Sequence, residues 1–277
     1  MVHDRLLDAE NLAPFRTLIL PSIAALSDAQ CGELRRFVAG GGGLVATSET
    51  SLLDEKGDQR SDFGLSDLFG ATWSGKSEGP MHNAYLRLEH EAYPAHPLLK
   101  GLEDAPRIIN GVWRVEVAAA GAQPLAPLTL IPPYPDLPME KVYPRQPRTD
   151  IAQVFLTDRP GGGRVVYFPW DIDRTFWEVL AVDHGKLMCN AVDWATNEPP
   201  PVTVTGPFII IGLVKGPVRK LLPVGEQRVR VLMPEGAKAR GVRLLVAGTS
   251  PEFREEGGWL ELTVPSVTAH EVVAIDV

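Results

Sequence analysis

Cysteine is nearly absent: Cys31 and Cys189 are the only two in 277 residues. They stand far apart, each inside a helical pattern, so the disulfide framework of a small secreted fold is excluded and two buried helix-face thiols are expected. The six histidines are scattered with no pair at a ligand spacing, so neither a metal nor another cofactor is expected. Basic residues never cluster beyond a pair, and 27 Lys and Arg against 35 Asp and Glu give a net charge of −8. That balance argues against a nucleic-acid partner. No apolar run approaches the ~20 residues of a membrane-spanning helix, which removes a membrane partner. The opening MVHDRLLDAENL lacks the charged-then-apolar pattern of a signal peptide, so a cytoplasmic location is expected. Internal repeats and low-complexity segments are missing too.

What is present starts with TLILPSIAALSDAQCGELRRFVAGGGGLVATSETS, residues 17–51. Thr17 to Pro21 is a short apolar run. Ser27 and Asp28 supply helix-start chemistry, and Cys31, Leu34, Phe37 and Val38 recur on one helical face. Gly40 to Gly43 stop that helix, and Leu44 to Thr47 is a second buried run. The sum is a parallel strand-helix-strand crossover. Ser48, Glu49, Thr50 and Ser51 then leave the carboxyl end of a parallel strand, where open α/β sheets place their sites.

Around this unit the chain reads in order. Met1 to Ala13 reads as a strand end followed by a helical turn capped near Asp8. The complete strand and helix that normally open a doubly wound domain are missing, as in the back part of a longer polypeptide. Beyond the Ser48 loop, GLSDLFG is a short helix, Tyr85 to Glu89 and Val112 to Val117 alternate as strands, and HPLLKGL is a compact turn. The proline-dense 132–147 segment, with Tyr134, Leu137, Met139 and Tyr143, is an extended arm that docks either on a neighbouring surface or on its own domain. Arg164 to Pro169 is a buried strand, WDIDR its carboxyl-end loop, and a helix runs from Thr175, with Leu187, Ala191 and Trp194 on one face. Prolines 199–201 mark a boundary, giving domains 1–198 and 199–277. Beyond it the period turns to two, the pattern of a small antiparallel β-sandwich.

The strings LILPSIAALSDAQCGELRRFVAGGGGLVATSETSLLDEKG and DFGLSDLFG resemble the trimerisation domain of family 42 β-galactosidases and related glycoside hydrolases. GRVVYFPWDIDRTFWE, HGKLMCNAVDWA and the closing HEVVAIDV are similar to the same group. The resemblance implies a flavodoxin-like open parallel sheet, close to class I glutamine amidotransferases but without their nucleophile, N-terminally truncated and followed by a β-sandwich. It implies a homo-oligomer, with a trimer favoured, and an association with a catalytic (β/α)8 barrel that this chain lacks and that a separate chain would supply. The sandwich reads as shortened at FIIIGLVKGPVRKLLP.

Two loops carry candidate site residues. Ser48 to Ser51 holds hydroxyls and Glu49 at the switch point. Thr47 and Glu49 flank Ser48 where a nucleophile elbow needs glycines, so a hydrogen-bonded loop bracing the sheet end competes with catalysis. Trp170, Asp171, Asp173, Arg174 and Trp177 form a mixture of aromatic faces, carboxylates and arginine suited to a sugar. The competing reading is a salt-bridged helix entrance with Trp177 in the core and Asp173 as N-cap. Paired acids on one short loop are poorly disposed for glycosidase chemistry, which needs carboxyls facing across a substrate. His82, Asn83 and Tyr85 are placed either beside the Ser48 loop or in a surface hairpin. The expected function is therefore a non-catalytic accessory and oligomerisation module of a β-galactosidase-like glycoside hydrolase. The alternatives are a free-standing hydrolase, glycosidase or amidotransferase-like, and a sugar-binding module.

Overall fold

A computed structural model describes residues 2–121, 126–133, 147, 149–206 and 223–277. They divide into two compact units, Met1–Glu198 and Pro199–Val277. The chain of the first unit runs through α1 (Ala9–Leu12), β1 (Thr17–Leu20), α2 (Asp28–Ala39), β2 (Gly43–Thr47) and α3 (Ser66–Phe69). It continues through β3 (Ala71–Glu78), β4 (Tyr85–Leu88), β5 (Arg107–Ile109), β6 (Arg114–Ala119) and β7 (Leu128–Ile131). It closes with β8 (Phe155–Asp158), β9 (Arg164–Phe168), α4 (Ile172–Val179) and α5 (Val182–Thr196).

The expected crossover is present. Ser27 caps α2 in a full capping box with Gln30, which satisfies two of the helix's orphan N–H groups reciprocally. Cys31, Leu34 and Val38 are buried along one face of that helix. The central sheet has the order β1-β2-β9-β8. β1, β2 and β9 are parallel, but β8 pairs antiparallel with β9, so the sheet is mixed where a parallel one was expected. The β8 to β9 connection is short enough for a hairpin and carries no crossover helix. Successive side chains of the middle strands feed opposite cores. Leu44, Ala46, Val165 and Tyr167 face one cluster with α2 and α3, while Val45, Val166 and Phe168 face another with Leu187, Ala191 and Ala195 of α5. The described part of the long insertion between β2 and β8 contains, beyond α3, two small antiparallel sheets, β3-β6 and β5-β4-β7.

At the amino ends of β2 and β9, two glycine turns are pressed together. A Cβ on Gly163 would collide with the backbone carbonyl of Gly42, and the Gly163 N–H donates to Val38 O at 2.7 Å. Only a residue without a side chain permits that approach.

Several expectations are corrected. The first residues form a 3-10 helix, Asp4–Leu6, rather than a strand end, although Asp8 does cap α1. The helix placed from Thr175 begins at Ile172 and is broken at Leu180, which adopts a left-handed conformation with φ 50°. The buried face of α5 is His184, Leu187, Ala191 and Ala195; Trp194 is only partly buried, with Arg164 stacked over its ring at 5.1 Å. Cys31 is buried but Cys189 is exposed. The arm residues Tyr134, Leu137, Met139 and Tyr143, and nearly all of FIIIGLVKGPVRKLLP, lie outside the described residues.

The second unit contains β10 (Val202–Thr205), β11 (Gln227–Leu232), β12 (Gly241–Leu244), β13 (Phe253–Glu256), β14 (Trp259–Val264) and β15 (Val273–Asp276). A four-stranded antiparallel sheet, β10-β11-β14-β13, and the pair β12-β15 enclose one core of Val229, Val242, Leu244, Leu260, Leu262 and Val264. Among the described residues no helix is long and apolar enough to cross a membrane.

Candidate functional site

The carboxyl ends of β1, β2 and β9 converge on a cavity of about 260 Å³ that brings both candidate loops together. Ser22 follows β1, Ser48 and Glu49 follow β2, and Asp171, Asp173 and Arg174 follow β9. Ser77 and Arg114 reach the same cavity from the β3-β6 sheet, and Trp113 from the segment just ahead of β6.

The Ser48 to Ser51 loop divides its labour. Ser48 takes a left-handed conformation, φ 48°, directly after the strand. Its N–H donates to Phe168 O and its carbonyl accepts from the buried Tyr167 hydroxyl at 2.7 Å. Thr50 and Ser51 are buried and structural: the Thr50 hydroxyl donates to Thr47 O, and the Ser51 hydroxyl accepts from Leu65 N–H. Only Ser48 and Glu49 line the cavity, and the Ser77 hydroxyl donates to Glu49 Oε1 at 3.3 Å. Neither histidine nor cysteine is in the lining, so the Ser–His or Cys–His pair of an amidotransferase-like hydrolase is not assembled there.

The WDIDR loop is rearranged relative to expectation. Trp170 is completely buried, with Nε1–H donating to Gln153 O at 2.9 Å, so its faces are taken by the core. Trp177 is 71% exposed, neither in the core nor among the cavity's lining residues. The two tryptophans therefore do not form one stacking surface. Asp173 is not the helix N-cap; it lies in the first turn of α4, where a carboxylate is favoured by the helix dipole. It accepts from the Thr47 hydroxyl at 2.9 Å, while Thr47 Oγ1 accepts from Ser22 N–H. Thr47 thus ties the three strand ends into one wall. Arg174 pairs with Glu178 at 2.9 Å, and Arg114 pairs with Glu78 at 2.6 Å.

Asp171 is the deepest carboxyl of the site, 4% exposed. Its Oδ1 accepts from Trp113 N–H at 3.0 Å, while Oδ2 is buried without a hydrogen-bond partner. Burial pushes its pKa above the usual carboxylate range, opposed by the Trp113 N–H. The approach is close: a Cβ on Gly111 would strike Asp171 Oδ1. Trp113 itself is 40% exposed.

The sequence reading missed Trp113, Arg114 and Thr47. Trp113 and Arg114 lie before and at the start of β6, far away in the chain, and Thr47 is the last residue of β2. Tyr85 is buried in β4 and His82 and Asn83 lie in the preceding turn; none of the three lines the cavity. Among the described residues no group of three His, Cys, Asp or Glu can hold a metal ion.

No protein-family model matches this chain, and no curated protein matches it. Solved structures do. The chain is similar to α-L-fucosidase isoenzyme 2 from Paenibacillus thiaminolyticus, with a TM-score of 0.67 and 17% identity over 96% of this chain and 41% of that one. It is also similar to the β-galactosidase from Bacillus circulans sp. alkalophilus, with a TM-score of 0.51 and 16% identity over 91% of this chain and 33% of that one. For the β-galactosidase from Rahnella sp. R3 the TM-score is 0.51 and the identity 14%, over 94% of this chain and 32% of that one. At these identities the likeness is one of fold. The chain spans between about a third and two fifths of the length of these structures.

Proposed function

We propose that this chain is a non-catalytic accessory and oligomerisation module of a β-galactosidase-like glycoside hydrolase system. In this reading the first unit is a flavodoxin-like, class I glutamine amidotransferase-like domain of the trimerisation type and the second is its β-sandwich. The chain forms a homotrimer, and catalysis belongs to a barrel outside these 277 residues, on a separate chain or elsewhere in a longer polypeptide. The reading is supported most by coverage: nearly the whole chain overlays glycosidases while accounting for 41% or less of each. Among the described residues the sheets have two to four strands and none closes into an eight-stranded barrel.

Two further features favour assembly over chemistry. Ser48 has no histidine in its cavity to pair with, and the three carboxyls there come from two short loops at neighbouring strand ends. The edge strand β1 exposes Ile19 (48%), and Phe15 and Ile23 beside it are also exposed. An open strand edge flanked by apolar side chains invites pairing with another chain. Light scattering of the purified chain across a dilution series tests the reading. A trimer that persists on dilution is expected, together with no turnover of aryl galactosides or aryl fucosides. A monomer at all concentrations overturns the assembly half, and turnover that survives repurification overturns the non-catalytic half.

A further inference from the structure

We infer that the cavity at the strand ends binds a single neutral pyranose ring, with Trp113 as its apolar platform and Asp171, Asp173 and Glu49 as its hydrogen-bond acceptors. This inference does not rest on the assembly reading, since every residue it uses lies in one unit of one chain.

Several polar groups of the cavity keep unspent hydrogen-bonding capacity. Each arginine of the cavity has its charge balanced by a glutamate through Nε, Arg114 by Glu78 and Arg174 by Glu178. The carboxylates are not exhausted. Asp171 keeps Oδ2 without a donor although the residue is 4% exposed, and a buried polar oxygen left unpaired is costly enough to call for a partner. Asp173 and Glu49 each have one oxygen held by a hydroxyl, from Thr47 and Ser77. With both arginines balanced, the three carboxyls leave surplus negative charge beside the hydroxyls of Ser22, Ser48 and Ser77. A complementary ligand brings several hydroxyl donors and no anionic group.

Trp113 narrows the class further. A half-exposed indole in a polar cavity offers an apolar face, which suits the C–H face of a sugar ring better than a hydrated ion. At about 260 Å³ the space falls below the roughly 300–1,000 Å³ of pockets for larger ligands, so it accommodates one ring and not a chain of them. The walls are fixed in advance: Trp113 N–H holds Asp171, Thr47 holds Asp173, and Gly111 leaves room for the Asp171 carboxyl. A site whose acceptors are already oriented loses little entropy on binding.

The test is a titration of the full chain by saturation-transfer NMR and tryptophan fluorescence, up to about 50 mM ligand. The probes are methyl β-D-galactopyranoside, methyl α-L-fucopyranoside, the anionic methyl β-D-glucuronide and tetramethylammonium. Saturable binding of at least one neutral glycoside is expected, with no binding of the glucuronide. Trp113→Ala weakens it by at least about tenfold, and Trp177→Phe leaves it unchanged. Should Trp113→Ala fail to fold, Glu49→Lys provides the second readout at an exposed position, weakening the neutral sugar and admitting the glucuronide. The inference is overturned if neither neutral glycoside binds, or if the glucuronide binds the unaltered protein equally well. It is also overturned if tetramethylammonium alone binds, which would make the cavity an ammonium site, or if binding is lost in Trp177→Phe and retained in Trp113→Ala. None of these outcomes depends on the oligomer mass, so the two readings fail separately.

Discussion

Replacing Tyr167 with Phe removes one hydrogen bond and almost nothing else. The ring is completely buried, stacked on Phe69 at 4.3 Å and met edge-on by Phe63 at 5.5 Å, and phenylalanine keeps all of that. The hydroxyl donates to Ser48 O at 2.7 Å, at a residue held in a left-handed conformation. A buried carbonyl stripped of its donor costs about 1–3 kcal/mol, and with no cavity opened that is the whole expected loss. For a unit of this size it corresponds to a fall of roughly 2–4 °C in Tm per kcal/mol. Urea unfolding followed by tryptophan fluorescence measures it cleanly, because Trp73, Trp113, Trp170, Trp177 and Trp194 lie in the first unit and only Trp259 lies in the second. The same variant has a pH signature. Burial, with Glu49 and Asp62 adding repulsion, holds the Tyr167 phenol well above its ordinary value of 10.0. The folded state therefore keeps the proton that the unfolded chain gives up. Stability tied to it is present below about pH 10 and is lost as the pH rises further; Tyr167→Phe lacks that component. A loss under about 0.5 kcal/mol, with an unchanged alkaline profile, would refute the claim that this hydroxyl braces the Ser48 turn.

Two further outcomes follow from buried titrating groups. Asp171 has a raised pKa through burial, so its contribution is present below the usual carboxylate range and is lost as the pH climbs through the raised value. Asp171→Asn should therefore lose less stability than the parent between about pH 4 and about pH 7, read as urea midpoints; a parallel pair of profiles would contradict this. His184 is buried, and its Nε2 meets Ile109 O at 2.9 Å while Nδ1 has no partner, which places the single proton on Nε2. Burial lowers its pKa below 6.5, so stability is complete above that value and falls as the pH drops past it. His184→Gln, which keeps an N–H donor, should flatten the loss between about pH 7 and about pH 5, and an unaltered acid limb would show that the imidazole is not its source.

The parts of the fold readable from the sequence are those whose cause is local. The α2 capping box and its i, i+3, i+4 face are written within a dozen residues, and the β2 and β9 cores are continuous apolar runs. Because both runs belong to a parallel sheet, the loops that follow them had to lie at the same end, and Ser48 and Asp171 do share a cavity. What escaped depends on distant partners. Asp171 is held by Trp113, 58 residues away, and nothing near either residue announces the other. Trp170 reads as a loop tryptophan until Gln153 is seen to accept its N–H. The break at Leu180 involves neither glycine nor proline, the residues that usually signal one, and the antiparallel course of β8 is set by its short connection to β9 rather than by its own side chains.

The glycine contact at the other end of the sheet has a consequence for anyone wishing to re-engineer this protein. Gly42 and Gly163 meet backbone to backbone, and the five-residue strands leaving them, at about 3.3 Å per residue, carry that contact roughly 16 Å to the loops that line the cavity. The turn acts as a clamp, with the ligand loops as jaws whose relative height it sets. A combinatorial library can vary Glu49, Ser77 and Arg174 widely, since all three are exposed, and still present every variant at a common spacing. A single methyl group added at Gly163 would shift both jaws at once.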